Sequence, residues 1–472
     1  MSCGKCLKVL IILLILGGLS LPIANLFMEP PSSVKLTAAT VGDKFFAEAS
    51  SIMQSKCSHC HTSDAGMPFY AVPPMKALMQ ADVDAGLKHL DMTAELGKDG
   101  TMLSEPALAK IEYVIGQDTM PPLKYVALHW NTRLSDGDKK ATLSWVRKAR
   151  AEYYAEASLD GKLKQAVIRP LPQTHSQDAA KVALGKALFN DKRLSKDNTI
   201  SCASCHAMDK GGTDQDPVAT GVNKQKGPIN SPTVFNAMYN VKQFWDGRAK
   251  DLQDQAAGPV ENPIEMAEKW DNVVEKLKAD AAFKAEFEKA YTDGLSKANI
   301  THAIAVFEET LLTPNSAFDK YLNGDESALT TVEESGWRFF QSNACATCHC
   351  GPAMGGQSFE IMGRKKDYFA LRGGKKTNED NGLSNFTKNE ADKHKFKVPT
   401  LRNIEITFPY FHDASAKDLQ TAVQMMADVQ SGKTLNDDQT VKIIAFLKTL
   451  TGELEGKSLK PAKPAATTKP AE

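Results

Sequence analysis

Three copies of the pattern Cys-x-x-Cys-His constrain this chain more than any other feature: Cys57/Cys60/His61, Cys202/Cys205/His206 and Cys345/Cys348/His349. The steps from 57 to 202 and from 202 to 345 are 145 and 143 residues, about one small domain each. A structural zinc site would close four ligands from paired Cys-x-x-Cys motifs inside one domain. No second pair falls within such a window. Disulfides explain the cysteines but not the histidine that follows each second cysteine. The pattern is that of covalent c-type haem attachment, with the histidine as proximal iron ligand. Three haems c are therefore expected, held by Cys57 and Cys60, Cys202 and Cys205, and Cys345 and Cys348.

At 472 residues the chain exceeds a single core. Lys plus Arg and Asp plus Glu both number 57, so no basic excess argues for nucleic acid. Alternating β-branched runs are nearly absent, which predicts a mainly α fold. Residues 9–28 are apolar, and twenty helical residues span about 30 Å of hydrocarbon. Lys5 and Lys8 precede the run and Glu29 follows it, which puts the N-terminus in the cytoplasm and the body outside. The expectation is a single-pass inner-membrane anchor with periplasmic domains. A cleaved signal peptide, giving a soluble periplasmic protein, is the alternative. Cys3 and Cys6 lack a following histidine and read as a juxtamembrane thiol pair.

The expected organisation is a membrane anchor over 1–30, three cytochrome c-like haem domains over 41–158, 173–325 and 326–451, and a disordered Lys/Pro/Ala tail over 452–472. Residues 159–172 read as a linker. Ser135 is expected to cap a helix, 179–189 to be helical, and Asn436 to cap a last helix over 437–450. Met120, on the Met120-Pro-Pro loop after the first motif, is the expected sixth ligand of the first haem. His89 and His129 are the alternative ligands, and His59 is expected to be exposed. His302 reads as a satisfied helix histidine. Met425 and Met426 fall on a helix expected over 417–429; Cys350 receives no role. The stretch 201–266 offers an amide, Gln255, and a carboxylate, Glu265, downstream of the second motif. It is expected to build a haem iron with one open face. Read alone, Glu265 is a solvated acid and Trp245 a core aromatic.

From about 179 to 450 the chain resembles the bacterial di-haem cytochrome c peroxidases. The resemblance rests on Gly227-Pro-Ile-Asn230-Ser-Pro-Thr-Val-Phe-Asn236, Gln243-Phe-Trp245-Asp-Gly-Arg248, Gln255-Ala-Ala-Gly-Pro259-Val, Val398-Pro-Thr-Leu-Arg402-Asn403 and Pro409-Tyr-Phe-His412. With the added haem domain and anchor, the whole resembles the membrane-anchored tri-haem quinol peroxidases. The resemblance implies that 173–325 is the peroxidatic domain, with His206 proximal and Gln255 and Glu265 as its distal pair. It implies that 326–451 is the electron-transfer domain, its haem held by His349 and Met426, with Trp245 between the two. It further implies a calcium ion on Asn230 and the carbonyls of Thr407 and Pro409. Relatives pair as homodimers, which puts a second copy among the expected partners. Two positions depart from the family. Val222 stands where many members carry a histidine that blocks the peroxidatic iron until the other haem is reduced. No histidine lies between His206 and His302, so an iron open at rest is expected. Lys417 stands where an aromatic is frequent.

The function expected is reduction of hydrogen peroxide to water, with electrons from membrane quinol or from a soluble cytochrome c. A carboxylate such as Glu265 moves a proton between the peroxide oxygens, and Gln255 holds peroxide by hydrogen bonding. A pure electron-transfer cytochrome would need a sixth ligand on every iron, and the His206 haem has no obvious one. A related enzyme oxidising a protein side chain would carry tyrosine in place of Met426.

Overall fold

The computed structural model describes residues 43–63, 66–68, 70–96 and 102–461, preceded by Lys8, 11–12, Leu16, 19–20, 22–27 and Leu36. Much of the apolar run 9–28 lies outside the described residues, as do Cys3, Cys6 and 462–472. Among the described residues no helix is long and apolar enough to cross a membrane. The chain divides into two compact units, Met1–Val167 and Ile168–Glu472.

In the first unit, helices α1 (Met75–His89), α2 (Glu105–Gly116) and α3 (Asp136–Tyr153) surround the first motif. Ser135 caps α3 as the sequence predicts, in a capping box with Asp138. Asp138 also takes Lys56 at 2.7 Å, which ties the residue before Cys57 to that helix start. The core forms around Trp145, fully buried, edge-on to Phe46 at 4.9 Å and donating from Nε1 to Asp43 at 2.7 Å. Buried Arg150 is held by Glu112 at 2.6 Å.

The second unit repeats one device twice. Helix α4 (Ala179–Phe189) precedes the second motif and crosses α8 (Lys297–Glu309); between them come α5 (Leu252–Glu261), α6 (Trp270–Lys278) and α7 (Ala281–Ala290). Helix α9 (Thr331–Ser342) precedes the third motif and crosses α11 (Asp437–Lys448), after α10 (Leu419–Met426). Both crossings are backbone-to-backbone at a glycine. A Cβ on Gly185 would lie 1.9 Å from the Ala303 carbonyl oxygen, and one on Gly336 2.0 Å from that of Lys442. Both helix pairs thus close at the same kind of joint. Strands β1 (Phe359–Ile361) and β2 (Lys395–Lys397) pair antiparallel, Phe359 opposite Lys397. The fold is mainly helical, as expected.

Three local expectations change. The predicted linker contains a short helix, Gly161–Gln165, and buries Ile168 and Leu171. Helix α10 is shorter than 417–429: it stops at Met426 and continues as a wider turn, Ala427–Ser431. The start of the predicted disordered tail is a hairpin, Glu453–Leu454 against Lys457–Ser458. Leu454 and Leu459 pack on the core of the second unit, which is why charged flanking sequence is ordered here.

Near the end of α8, Glu308 is 4% exposed, and burial pushes its carboxyl up to about 8. Unfolded, the group ionises near its ordinary 4.5; folded, it stays protonated to about 8, so stability falls as pH rises between those values. Glu308→Gln is therefore expected to raise the Tm at pH 8 and leave it almost unchanged at pH 4.5. Thermal melts across that window check it.

Candidate active site

The three motif histidines share one arrangement. Nδ1 of His61 faces the Leu90 carbonyl at 2.8 Å, Nδ1 of His206 that of Gly212 at 3.2 Å, and Nδ1 of His349 that of Met354 at 3.2 Å. A carbonyl only accepts, so each ring carries its hydrogen on Nδ1 and presents the Nε2 lone pair. This is how iron-ligating imidazoles are oriented. Withdrawal from water lowers all three pKa values, that of His349 to about 4, which keeps the rings neutral. The thiols of Cys57, Cys60, Cys202, Cys205 and Cys345 lie outside any disulfide despite their spacing, and Cys348 sits beside the Thr347 hydroxyl. Burial raises Cys57 to about 12 and Cys205 to about 11, so these are desolvated thiols rather than reactive thiolates. Residues and geometry fit three covalent haems.

The helix that carries Gln255 packs through Ala256 and Val260 into the core that also holds Cys202 and Ala203. Cys202–Cys205 is one helical turn. Gln255 lies half-buried on α5, whose start is capped by Asp251. That helix ends at Asn262, and the turn after it carries Glu265. Asn262 Nδ2 donates to Glu265 Oε1 at 2.6 Å. Behind burial, the Glu265 charge is among the influences that raise the Cys202 and Cys205 thiols, so its carboxyl lies in the neighbourhood of the second motif. Its pKa is raised, first by burial; the Arg248 charge and the Asn262 bond pull the other way. The loop bearing Val222 is locked onto this residue: the Val222 N–H donates to the Glu265 carbonyl at 2.8 Å, and the Val222 side chain is buried. Position 222 therefore rests on the Glu265 backbone, and valine has no ligand atom to offer a metal.

Trp245 bridges the segments that carry the second and third motifs. Its Nε1 donates to the Asn230 carbonyl at 2.9 Å, and its own carbonyl accepts from the Lys397 N–H at 3.0 Å. Its ring lies edge-on to His412 at 6.4 Å, within a cluster of Tyr368, Phe369, Phe396 and Met425. Asn230 is at the same seam. Its N–H donates to the His412 carbonyl at 2.8 Å and its Nδ2 to the Asp216 carbonyl at 3.0 Å, which leaves Oδ1 as the atom a cation would take. Thr407 is half-buried and Pro409 buried, in the loop leading to His412. Met426 closes α10 and is half-buried; Met120 is half-buried in the turn after α2.

Sequence reasoning missed several groups. His59 is not exposed: its Nδ1 meets Tyr125 Oη at 2.9 Å and its Nε2 is buried. His129 stacks on Tyr125, and its Nε2 faces Tyr70 Oη at 3.2 Å. His302 is satisfied by Tyr291 Oη at 2.8 Å, as expected. Lys397 brings a buried amine behind Trp245, its pKa lowered to about 7 by burial. Asp380, His412 and Asp413 form a metal-like cluster, but Arg372 lies 3.0 Å from Asp380 and 2.7 Å from Asp413 and supplies the positive charge.

Residues 179–327 match the family described as di-haem cytochrome c peroxidase, and residues 26–148 match a haem-binding domain. "Cytochrome c peroxidase Ccp" of Escherichia coli is 47% identical over 405 residues, 85% of this chain and 86% of that protein. The chain belongs to the di-haem cytochrome c peroxidase family. The peroxidase is also 48% identical to "Cytochrome c551 peroxidase" of Nitrosomonas europaea, over 61% of this chain and 84% of that protein. Among solved structures, a MauG-like protein associated with microbial copper homeostasis superposes with a TM-score of 0.54 at 27% identity, covering 63% of the peroxidase and 96% of that chain. Haem, bound at the cysteines above, supplies the iron and the redox chemistry. His206 presents the imidazole that would take the iron on one side, and Glu265 and Gln255 are the candidate groups for the other.

Proposed function

We propose that the chain is a membrane-anchored quinol peroxidase with three haems c, its catalytic domains in the periplasm, reducing hydrogen peroxide to water. The observation that carries the reading is Glu265: a desolvated carboxyl beside Cys202 and Cys205, held by Asn262, over a loop that offers no blocking ligand. Peroxide is held by Gln255. Glu265 accepts the proton from the oxygen nearer the iron and returns it to the leaving oxygen as the O–O bond breaks. Trp245, bonded to both halves of its unit, carries electrons from the His349/Met426 side to the His206 side. Cys57, Cys60, His61 and Met120 would hold the haem through which quinol's electrons enter at the first unit. Asn230 Oδ1 and the Thr407 and Pro409 carbonyls would hold a calcium ion that stiffens the seam beneath Trp245. The anchor reading is supported by exposed apolar side chains before residue 28, with Ile12 at 54% and Leu16 at 59%.

The test is anaerobic. The detergent-purified chain is reduced with quinol, given one equivalent of hydrogen peroxide, and followed by its haem bands. Fast reduction and then fast reoxidation are expected. Haems that quinol leaves oxidised, but that peroxide reoxidises once dithionite has reduced them, assign the electrons to a soluble cytochrome. Haems that stay reduced in peroxide overturn the peroxidase site.

A further inference from the structure

The first unit holds a chain of ring and amide groups that the peroxidatic site does not use. His59 lies inside the first attachment motif, Nδ1 on Tyr125 Oη, with Nε2 buried and without a hydrogen-bond partner. The Tyr125 ring stacks on His129, with centroids 4.1 Å apart and planes 12° apart. His129 Nδ1 is 3.1 Å from the Tyr125 carbonyl, so that nitrogen carries the hydrogen and Nε2 a lone pair. Nε2 faces Tyr70 Oη at 3.2 Å. Tyr70 Oη is closer, at 2.8 Å, to Asn25 Oδ1. The Asn25 amide cannot be turned over, because its Nδ2 donates to the Leu128 carbonyl at 2.8 Å. One phenolic hydrogen therefore serves two acceptors, and either His129 Nε2 or Asn25 Oδ1 lacks a donor. Asn25 is buried, so an unfilled Oδ1 there would cost about 1–3 kcal/mol, and the phenolic hydrogen goes to it; half-buried His129 then keeps its Nε2 open to an incoming donor. Burial also lowers the His129 pKa, which keeps the imidazole neutral rather than filling Nε2 with a proton.

Exposed apolar side chains neighbour the polar chain in sequence and form its apolar rim here: Leu26, 44% exposed, and Phe27, 85%, follow Asn25; Val72, 59%, is two residues from Tyr70; Leu123, 88%, is two from Tyr125; and Trp130, 43%, follows His129. Exposed apolar surface around convergent polar groups marks a ligand site. The rim is continuous with the end of the apolar N-terminal run, which names a ligand that lives in lipid.

We propose that Tyr70, Tyr125 and His129 form the quinol-oxidising site, with one hydroxyl of a lipid-soluble hydroquinone donating to His129 Nε2 and its ring and tail on the apolar rim. The proposal rests on the quinol reading above and names its site. The hydroquinone gives up two electrons and two protons and leaves as quinone. One O–H bond breaks toward His129 Nε2, and the other proton goes to water at the open rim. The electrons pass singly to iron(III) of the haem on Cys57 and Cys60, His59 being part of that attachment, and reduce it to iron(II). Two such transfers match the two electrons and two protons by which hydrogen peroxide becomes two waters.

The full chain in detergent is tested with decyl-ubiquinol, and binding is read separately with decyl-ubiquinone by equilibrium dialysis. His129→Gln is expected to slow haem reduction by decyl-ubiquinol about 10²-fold, as loss of a proton acceptor does. Leu123→Asp, at a position open enough to spare the fold, is expected to weaken decyl-ubiquinone binding about tenfold. Reduction by dithionite and the midpoint potential of the first haem stay unchanged in both. Decyl-ubiquinol reduction at the wild-type rate in both variants overturns the site while keeping quinol as donor. A wild-type chain that dithionite reduces and decyl-ubiquinol does not overturns the site and the quinol reading together.

Discussion

Glu265→Gln is expected to lower kcat with hydrogen peroxide by about 10²–10⁴-fold, the range a positioned proton-transfer group contributes. The substitution is close to isosteric. Its oxygen can still accept from Asn262 Nδ2, so the turn after α5 and its bond to Val222 persist. What disappears is the ability to take a proton and return it. The pH profile separates this from a structural loss. Burial raises the Glu265 pKa, and the Arg248 charge is the largest opposing influence. As a base the carboxyl works only when ionised, so activity falls as pH drops through the raised pKa. The acid limb of kcat/KM therefore lies above the ordinary carboxylate range. Arg248→Met removes the opposing charge and moves the limb further up; Glu265→Gln abolishes it. An acid limb that survives unchanged in Glu265→Gln assigns the proton transfer to another group.

What was legible beforehand was local. The attachment motifs, the Ser135 and Asn436 caps and the 179–189 helix each depend on residues within a turn or two of one another, and each stands where expected. Pairings across long separations were not legible. His59 meets a tyrosine 66 residues away. The 453–458 hairpin is ordered by a bond from the Glu453 N–H to the Pro314 carbonyl at 2.8 Å, which no charged tail sequence announces. Glu308 ends an apolar helix as any surface acid might, and only the crossing of α4 over α8 buries it. Glu265 was visible as a residue type at a suggestive place. Its raised pKa depends on burial and on Arg248, seventeen residues earlier, which spacing does not reveal. The resemblance supplied roles for Trp245 and Asn230. The structure adds the mechanical reason that they belong together, since one donates to the carbonyl of the other.

Asp319→Ala is expected to destabilise the second unit by about 3–5 kcal/mol, the range for stranding one member of a buried ion pair. The Val398-Pro-Thr-Leu-Arg402-Asn403 string carries no reacting group, and the structure shows what it does. Arg402 is 0% exposed and 2.9 Å from Asp319. Its Nε donates to the Pro352 carbonyl at 2.8 Å, and its remaining nitrogens to Ser316 Oγ at 3.2 Å and the Arg169 carbonyl at 3.1 Å. One guanidinium thus ties the loop after His349 to the segment that enters α9 and to the chain entering the unit. At about 2–4 °C per kcal/mol for a unit of this size class, the variant should melt roughly 6–20 °C lower. The Pro352 loop is three residues from His349, so if His349 and Met426 hold a haem as proposed, its methionine-to-iron absorbance should weaken before the unit melts. Removing the charge as well as its partner distinguishes a stranded cation from a lost scaffold. Asp319→Ala combined with Arg402→Met leaves no unpaired charge in the interior, and should recover part of the loss. A double variant as unstable as the two single losses added together would mean that the hydrogen bonds to Pro352 and Arg169, rather than the ion pair, hold this seam closed.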